Sequence, residues 1–100
     1  MPKIYEYLGI TLFFYSNELE PIHVHARKGE FESKAEIILE NGVITEIILV
    51  NVTGRKPLKG NDLNNLKSFL EKYSESIVTK WVDYFVYHKE ISFERINQKL

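Results

Sequence analysis

Apolar residues in the first half of the chain occur in short runs of β-branched and aromatic side chains separated by turn residues, a pattern typical of β-strands. Four or five strands are predicted there, over residues 4–7, 10–15, 22–28, 31–39 and 43–50. Asn41-Gly42 predicts a tight hairpin turn before the last run, and Gly29 predicts another between the two runs that flank it. These strands are therefore expected to pair antiparallel, in two hairpins.

The hydrophobic pattern changes its period in the second half. After a polar loop at residues 51–60, apolar side chains recur every three or four positions, which predicts an amphipathic helix with Asn61 or Asp62 as its cap. Ser74 can cap a second amphipathic helix, and one long helix kinked near Ser74 is the alternative. Beyond residue 88 the residues alternate again, which predicts a short extended segment that pairs with a sheet edge.

Together these elements predict an α+β fold in a single domain over residues 1–100. The sheet is expected to be antiparallel, with four to five strands, and the two helices are expected to pack on one of its faces. The exposed edges of such a sheet would allow a homodimer.

The composition narrows the range of functions. The chain has 13 basic and 14 acidic residues, so no overall field attracts it to nucleic acid or to an anionic membrane. It has no cysteine, which excludes disulfides, thiolate catalysis and sulfur-ligated metals. The N-terminal residues lack a signal-peptide pattern, and no apolar run reaches the roughly 18 residues that span a bilayer. Cytoplasmic residence without membrane insertion is therefore expected.

The most suggestive segment for chemistry is Pro21-Ile22-His23-Val24-His25-Ala26-Arg27. Alternate side chains of a strand share a face, so His23, His25 and Arg27 point one way and the apolar residues between them point into the core. Same-face neighbours are roughly 6.6 Å apart, which is close enough for two imidazoles to converge on one metal.

The partners of these side chains depend on the turn that follows them. If Lys28-Gly29 forms a two-residue turn, the cross-strand pairs are Arg27 with Glu30, His25 with Glu32, and His23 with Lys34. A bulge at Gly29 would shift this register by one residue.

In the unshifted register, His23, His25 and Glu32 match the ligand set of a non-haem iron or similar divalent metal site. Glu18 and Glu20, in the preceding loop, are further candidate ligands. Two other interpretations stay open: a solvated, charged outer face that serves as an interaction surface, and an anion or nucleic-acid contact through Arg27 and the histidines.

The spacing His23-x-His25-x4-Glu30 also resembles the first half of the cupin metal motif. The glycines that flank that motif are absent at the expected distances. A cupin jelly roll also needs more strands than this chain can supply, so a cupin-like enzyme is disfavoured.

A second candidate binding element is the loop that contains Arg55, Lys56 and Lys59, which brings three cations together without an acid, ahead of a helix start. Such a loop can receive phosphate, although it lacks the spacing of a Walker loop. An ordinary solvated connection is the alternative.

Several of these residues also carry a family resemblance: Met1-Pro2-x-Ile4, Gly9-Ile10, the Pro-x-His-x-His-x-Arg strand, and a late aliphatic helix with Trp81. Together they resemble the short bacterial proteins grouped as domain of unknown function 4160. The resemblance implies no assigned activity. It implies that such proteins are often encoded beside another small protein, in pairs sometimes called toxin–antitoxin-like. The chain departs from the family at Ile22 and Val24, where a second proline or an aromatic residue is usual.

Two functions follow from this pattern. The first is a binding or interaction module, such as one half of a toxin–antitoxin-like pair, whose partner is a small protein encoded by a neighbouring gene. Its predicted surface is the His23–Arg27 face. The second is a small metal-dependent or RNA-acting enzyme, which would use His23, His25, Arg27 and nearby carboxylates as a set able to carry out proton transfer on a phosphate ester. The near-neutral net charge disfavours tight RNA binding.

Overall fold

Six strands and one long helix are formed by the residues that the structure describes. The computed structural model describes residues 2–17 and 21–100. Its strands are β1 (Lys3–Tyr7), β2 (Ile10–Phe13), β3 (His23–Lys28), β4 (Phe31–Glu40), β5 (Val43–Asn51) and β6 (Glu94–Ile96), and its helix is α1 (Gly60–Phe85).

The strands form one sheet in the order β5-β4-β3-β2-β1-β6. The first five strands pair with their neighbours in the chain and run antiparallel. The chain then passes through α1 from one edge of the sheet to the other, where β6 joins β1 in parallel. The α+β class is therefore confirmed, whereas the predicted antiparallel sheet of four to five strands is wrong, because the C-terminal segment adds a sixth, parallel strand.

The hairpin turns set the register of the strands that they join. Asn41 and Gly42 both have positive φ, 53° and 79°, as the predicted Asn-Gly turn requires. In the hairpin between β3 and β4, Lys28 pairs with Phe31, so Gly29 and Glu30 form the turn. Gly29, with φ of 60°, takes the first turn position, where the type II′ geometry favours glycine.

The expected turn at Lys28-Gly29 is therefore wrong, and the register shifts by two residues. The observed pairs are His23 with Glu36, His25 with Lys34, and Arg27 with Glu32. A shift of two residues leaves every side chain on its predicted face. The prediction of which residues share a face is thus confirmed, although their partners directly opposite change.

The second half forms one helix rather than the two predicted. Ser74 does not cap a helix but lies buried inside α1, on the same stripe as Leu70 and Ile77. No glycine or proline interrupts residues 61–85, so nothing in this stretch breaks the helix. The predicted helix boundary at Ser74 is therefore wrong, because this small serine is part of the buried stripe of α1.

The predicted side-chain cap of the helix is also absent. The capping position is Lys59, and it makes no side-chain cap hydrogen bond. Asp62 lies in the first turn, where its charge interacts favourably with the helix dipole, and it accepts a hydrogen bond from Lys28 Nζ at 2.9 Å.

The main core lies between α1 and one face of the sheet. The helix contributes Leu66, Phe69, Leu70, Ile77 and Trp81. Phe69 is fully buried and packs against the rings of Tyr5, Tyr7 and Tyr73, at centroid distances of 5.1, 5.3 and 4.5 Å. Within residues 2–17 and 21–100, no helix has both the length and the apolar character that crossing a membrane requires.

Lys80 holds the C-terminal strand against the helix. Its Nζ donates hydrogen bonds to the carbonyl and hydroxyl oxygens of Ser92, at 2.8 and 2.9 Å, and lies 3.0 Å from Glu94 Oε2. The backbone N–H of Leu100 donates to the Tyr7 hydroxyl at 2.8 Å. The extended C-terminal segment predicted from the alternation is therefore confirmed.

Tyr5 predicts a loss of stability at alkaline pH. Burial, followed by the negative charge of Glu94, raises the pKa of the Tyr5 phenol above its ordinary value of 10.0. Above that pH the unfolded chain releases the phenol proton before the folded chain does, so the free energy of unfolding falls as pH rises through the raised pKa. Below pH 10.0 this group contributes no pH dependence.

The measurement is urea unfolding followed through the fluorescence of Trp81, the only tryptophan, at a series of alkaline pH values. The decline should be smaller in Tyr5→Phe, which cannot ionise. An equal decline in both proteins would contradict the assignment.

Candidate functional site

The face of the sheet opposite α1 carries a second group of packed side chains. The pairing of β2 with β3 places Phe13 beside His25, and the pairing of β3 with β4 places Arg27 beside Glu32. Val24 and Ala26, between these positions, point to the other face and belong to the main core. The alternation of β3 thus separates a polar cluster from the hydrophobic core.

The expectation that this face is a solvated, charged surface is wrong for its central residues. His23 and His25 are only 4% and 3% exposed, and Glu32 and Phe13 are completely buried. Arg27 remains 31% exposed at the side-chain level, and Arg55 42%. The face therefore has a buried polar centre with two arginines that reach solvent.

Glu32 is the centre of this group, which we call the Glu32 cluster and define as Tyr15, His25, Arg27, Glu32 and Arg55. The Oε2 atom of Glu32 accepts from His25 Nδ1 at 3.0 Å and from the Tyr15 hydroxyl at 3.4 Å. Its Oε1 atom lies 3.1 Å from both Nε and Nη2 of Arg27 and 3.8 Å from Nε of Arg55. One buried carboxylate thus holds a histidine, a tyrosine and two guanidinium groups.

His25 and Glu32 are in contact, as predicted, but they are not directly opposite each other. They are diagonal neighbours on β3 and β4. Lys34 is directly opposite His25, and its Nζ lies 3.7 Å from Glu36 Oε2. Diagonal neighbours on adjacent strands are within reach of long side chains. Glu30, the predicted cross-strand partner of Arg27, lies exposed in the turn.

Aromatic packing fixes the orientation of the polar groups. The His25 ring stacks on Phe13 with a centroid distance of 5.5 Å and an interplanar angle of 21°, and Tyr15 meets it edge-on at 4.4 Å. The Arg27 guanidinium carbon lies 5.1 Å from the Phe13 ring centre, and Arg27 Nη2 donates to the Tyr15 hydroxyl at 3.2 Å. Arg27 is therefore held by a carboxylate, a hydroxyl and a ring together.

The hydrogen bonds of the two histidines indicate which ring nitrogen carries a proton. His23 Nδ1 lies 2.6 Å from the carbonyl oxygen of Pro21, which can only accept, so this Nδ1 is protonated. The Glu32 carboxylate fixes His25 Nδ1 as a donor in the same way. In the neutral form of each ring, the lone pair is then on Nε2.

The metal hypothesis receives no geometric support from the described part of the chain. Within it, no group of three His, Cys, Asp or Glu side chains is arranged to hold a metal ion. Glu32 was predicted to bind the metal together with His23 and His25, but its oxygen atoms accept from N–H and O–H donors. Glu18 and Glu20, the further candidates, lie outside the described residues.

The basic loop with Arg55, Lys56 and Lys59, which the sequence predicts as a separate binding element, lies next to the Glu32 cluster. The Glu32 backbone N–H donates to the Lys56 carbonyl at 2.9 Å, and the Leu58 N–H donates to the Ser33 hydroxyl at 3.0 Å. These bonds hold residues 52–59 beside the start of β4, which brings Arg55 to Glu32.

The other two cations of this loop take different positions. Lys59 Nζ lies 5.4 Å from the centre of the ring of Phe31, which packs against the main core on the other face of the sheet, and the Lys56 side chain is exposed. Of the three predicted cations, Arg55 alone joins the Glu32 cluster through its side chain.

Sequence reasoning missed Tyr15 and Phe13. The signal that could have found them is the alternation of the predicted strand over residues 10–15, since Phe13 and Tyr15 are two residues apart and so share a face. Using that signal requires the β2–β3 register, which residues 14–22 do not specify.

The sequence comparisons identify a family and no characterised relative. The profile of the family described as Domain of unknown function (DUF4160) matches residues 9–82, a range that includes β2 to β5 and most of α1. No curated protein and no solved structure matches the chain.

Proposed function

The chain belongs to the DUF4160 family, whose description assigns no activity, and we propose from the geometry of the Glu32 cluster that the protein is a binding module. In this proposal a partner protein docks on the sheet face opposite α1. Arg27 and Arg55 are the charged anchors, and Tyr15 lies beside them.

The observation that carries this proposal is the complete burial of Glu32, which is hydrogen-bonded to Arg27 at 3.1 Å and forms a longer ion pair with Arg55 at 3.8 Å. Groups that are fixed before binding lose less conformational entropy when a partner arrives. Since one carboxylate serves two guanidinium groups, the arginines retain a net positive charge for an acidic group on the partner. Arginine and tyrosine are also enriched among the residues that dominate binding energy at protein interfaces.

A protein partner is favoured over nucleic acid by the charge of the chain. The formal net charge is −1, and Glu36 lies beside Lys34 on the same sheet face. Nucleic-acid surfaces usually carry an extended basic stripe, because most of their affinity comes from phosphate contacts. The partner we propose is the small protein encoded by the neighbouring gene, as in the toxin–antitoxin-like pairs of the family.

The proposal is tested by titrating the neighbouring gene product into the purified chain by isothermal calorimetry. Arg55→Ala should weaken binding on the order of thirtyfold, as expected when a residue that supplies about 2 kcal/mol is removed. Arg55 lies in a loop and is 42% exposed, so its removal should leave the fold intact. Arg27→Ala should weaken binding at least as much.

Arg95→Ala is the matched control, because Arg95 is 67% exposed and lies on β6, at the edge of the sheet and three strands away from β3. It should bind like the wild type. Equal affinities for all three variants, or no complex with the wild type, would contradict the proposal. A complex with single-stranded RNA and none with the protein would also contradict it.

A second candidate is an enzyme that acts on a phosphate ester of RNA. The observation that favours it is the hydrogen bond from His25 Nδ1 to Glu32, since a carboxylate in this position orients an imidazole for proton transfer at Nε2. Cleavage of labelled RNA by the purified wild type, lost in His25→Gln, would support this function. Growth arrest on expression that persists in the His23→Ala, His25→Ala double variant would exclude these histidines as the cause.

A further inference from the structure

The outer edge of β5 is the second surface that lacks a partner among the described residues. β5 has nine residues, Val43–Asn51, and ends the sheet. Its pairing is with β4 on one side, so the backbone N–H and C=O groups directed to the other side pair with no described strand. Edge strands in soluble proteins are usually short, charged or covered. This one is long and contains a single charged residue, Glu46.

The side chains of β5 are also incompletely covered by the helix. Ile44, Ile47 and Leu49 face the core but are only partly buried. A cavity of about 440 Å³ lies between them and Leu70, with Lys67, Glu71 and Glu46 at its rim. A neighbouring cavity of about 350 Å³ continues along the strand towards Val43.

We propose that a second copy of this chain pairs with β5, so that two β5 strands run antiparallel about a two-fold axis and join the two sheets. This inference does not depend on the Glu32 cluster or on the proposed binding function. The two-fold arrangement pairs the backbone N–H and C=O groups at the outer edge of β5 in both copies. Closed two-fold dimers are also the commonest homo-oligomers.

The strand itself indicates where the axis lies. A bulge interrupts the pairing of β5 near Thr45 and leaves residues 46–51 as its regular part. Ile48 lies next to the midpoint of this part, and its side chain, which faces away from the core, is 38% exposed. An axis at Ile48 places Ile47 opposite Leu49 of the second copy, and Glu46 opposite Val50. No like charges then face each other, so self-pairing carries no charge penalty.

The charges beside the groove also suit a second copy. Lys67 and Glu71 are four residues apart on α1 and lie at the rim of the cavity next to Ile47. A two-fold axis at the edge of the sheet brings the two helices to the same face and makes them antiparallel. The helix side of each rim therefore offers one cation and one anion to the helix side of the opposite rim, an arrangement that is complementary to itself.

The oligomeric state in solution tests the proposal. Light scattering on a sizing column should give twice the 11.8 kDa mass of one chain, and Ile48→Lys should give 11.8 kDa, because lysine on an edge strand opposes pairing. Val86→Lys is the control: Val86 is an exposed apolar residue beyond α1, and its variant should stay dimeric. Trp81 fluorescence checks that each variant is folded. A wild-type mass of 11.8 kDa across the concentrations used for NMR would overturn the proposal.

The position of the axis can be tested by cross-linking, since the chain has no cysteine of its own. Ile48→Cys should form a disulfide-linked dimer on mild oxidation, because directly opposed residues of antiparallel strands are about 5 Å apart at Cα, within disulfide range. Val43→Cys should form no such dimer, because the two cysteines would be about ten residues apart along the paired strands, a distance of roughly 34 Å. Cross-linking at Val43 and none at Ile48 would overturn this arrangement.

Discussion

Glu32→Gln is expected to lower the free energy of unfolding by about 3 kcal/mol, since it breaks a buried ion pair. The amide keeps the size of the carboxylate but removes its charge, and its NH2 group would face donors from His25, Tyr15 or Arg27. The figure is at the lower end for such pairs, because Arg27 is 31% exposed and water screens its charge.

Urea unfolding followed through Trp81 fluorescence measures this loss. The matched control is Glu36→Gln, since Glu36 lies on the same face and its Oε2 is 3.7 Å from Lys34 Nζ in a partly exposed pair. That change should cost less than about 1 kcal/mol. Similar losses for the two variants would show that Glu32 does not organise the cluster.

Phe69→Ala is expected to lower the free energy of unfolding by about 3–5 kcal/mol, the largest effect of any single change considered. Phe69 has no exposed surface and contacts three tyrosine rings, two of them on β1. Removing its ring leaves a cavity at the junction of α1 and the sheet, and a close-packed interior fills such a cavity only partly.

The same unfolding measurement applies, with two comparisons. Phe69→Leu should lose less stability than Phe69→Ala, because it keeps much of the buried volume. Phe93→Ala should lose little, since Phe93 is an exposed residue just before β6. A loss below about 1 kcal/mol for Phe69→Ala would contradict its place at the centre of the core.

Local sequence patterns predict the strands of this fold, whereas the strand register and the surroundings of each side chain depend on contacts between distant parts of the chain. The alternation of β3 was sufficient to assign His23, His25 and Arg27 to one face, and Asn41-Gly42 was sufficient to locate a turn. The register of the preceding hairpin depended on whether Gly29 took the first or the second turn position. Sequence spacing alone does not decide between them.

The extent of α1 and the composition of the Glu32 cluster also depend on contacts that local sequence does not specify. Ser74 looks like a cap because serine is common at helix starts, but here the core accepts it in the buried stripe. The burial of the histidines could not be predicted either, because it involves Phe13 at the end of β2 and Tyr15 just after it, and their pairing with β3 is not specified by the sequence. Arg55 reaches Glu32 only because the loop after β5 returns to the start of β4.

The most direct test of the proposed binding surface is an NMR titration of the side-chain Nε–Hε signals of arginine with the neighbouring gene product. The chain has three arginines: Arg27 and Arg55 in the Glu32 cluster, and Arg95 on β6 as an internal reference. The signals of Arg27 and Arg55 should shift and saturate together as the complex forms, while that of Arg95 stays in place. A complex that leaves Arg27 and Arg55 unchanged would contradict the central claim.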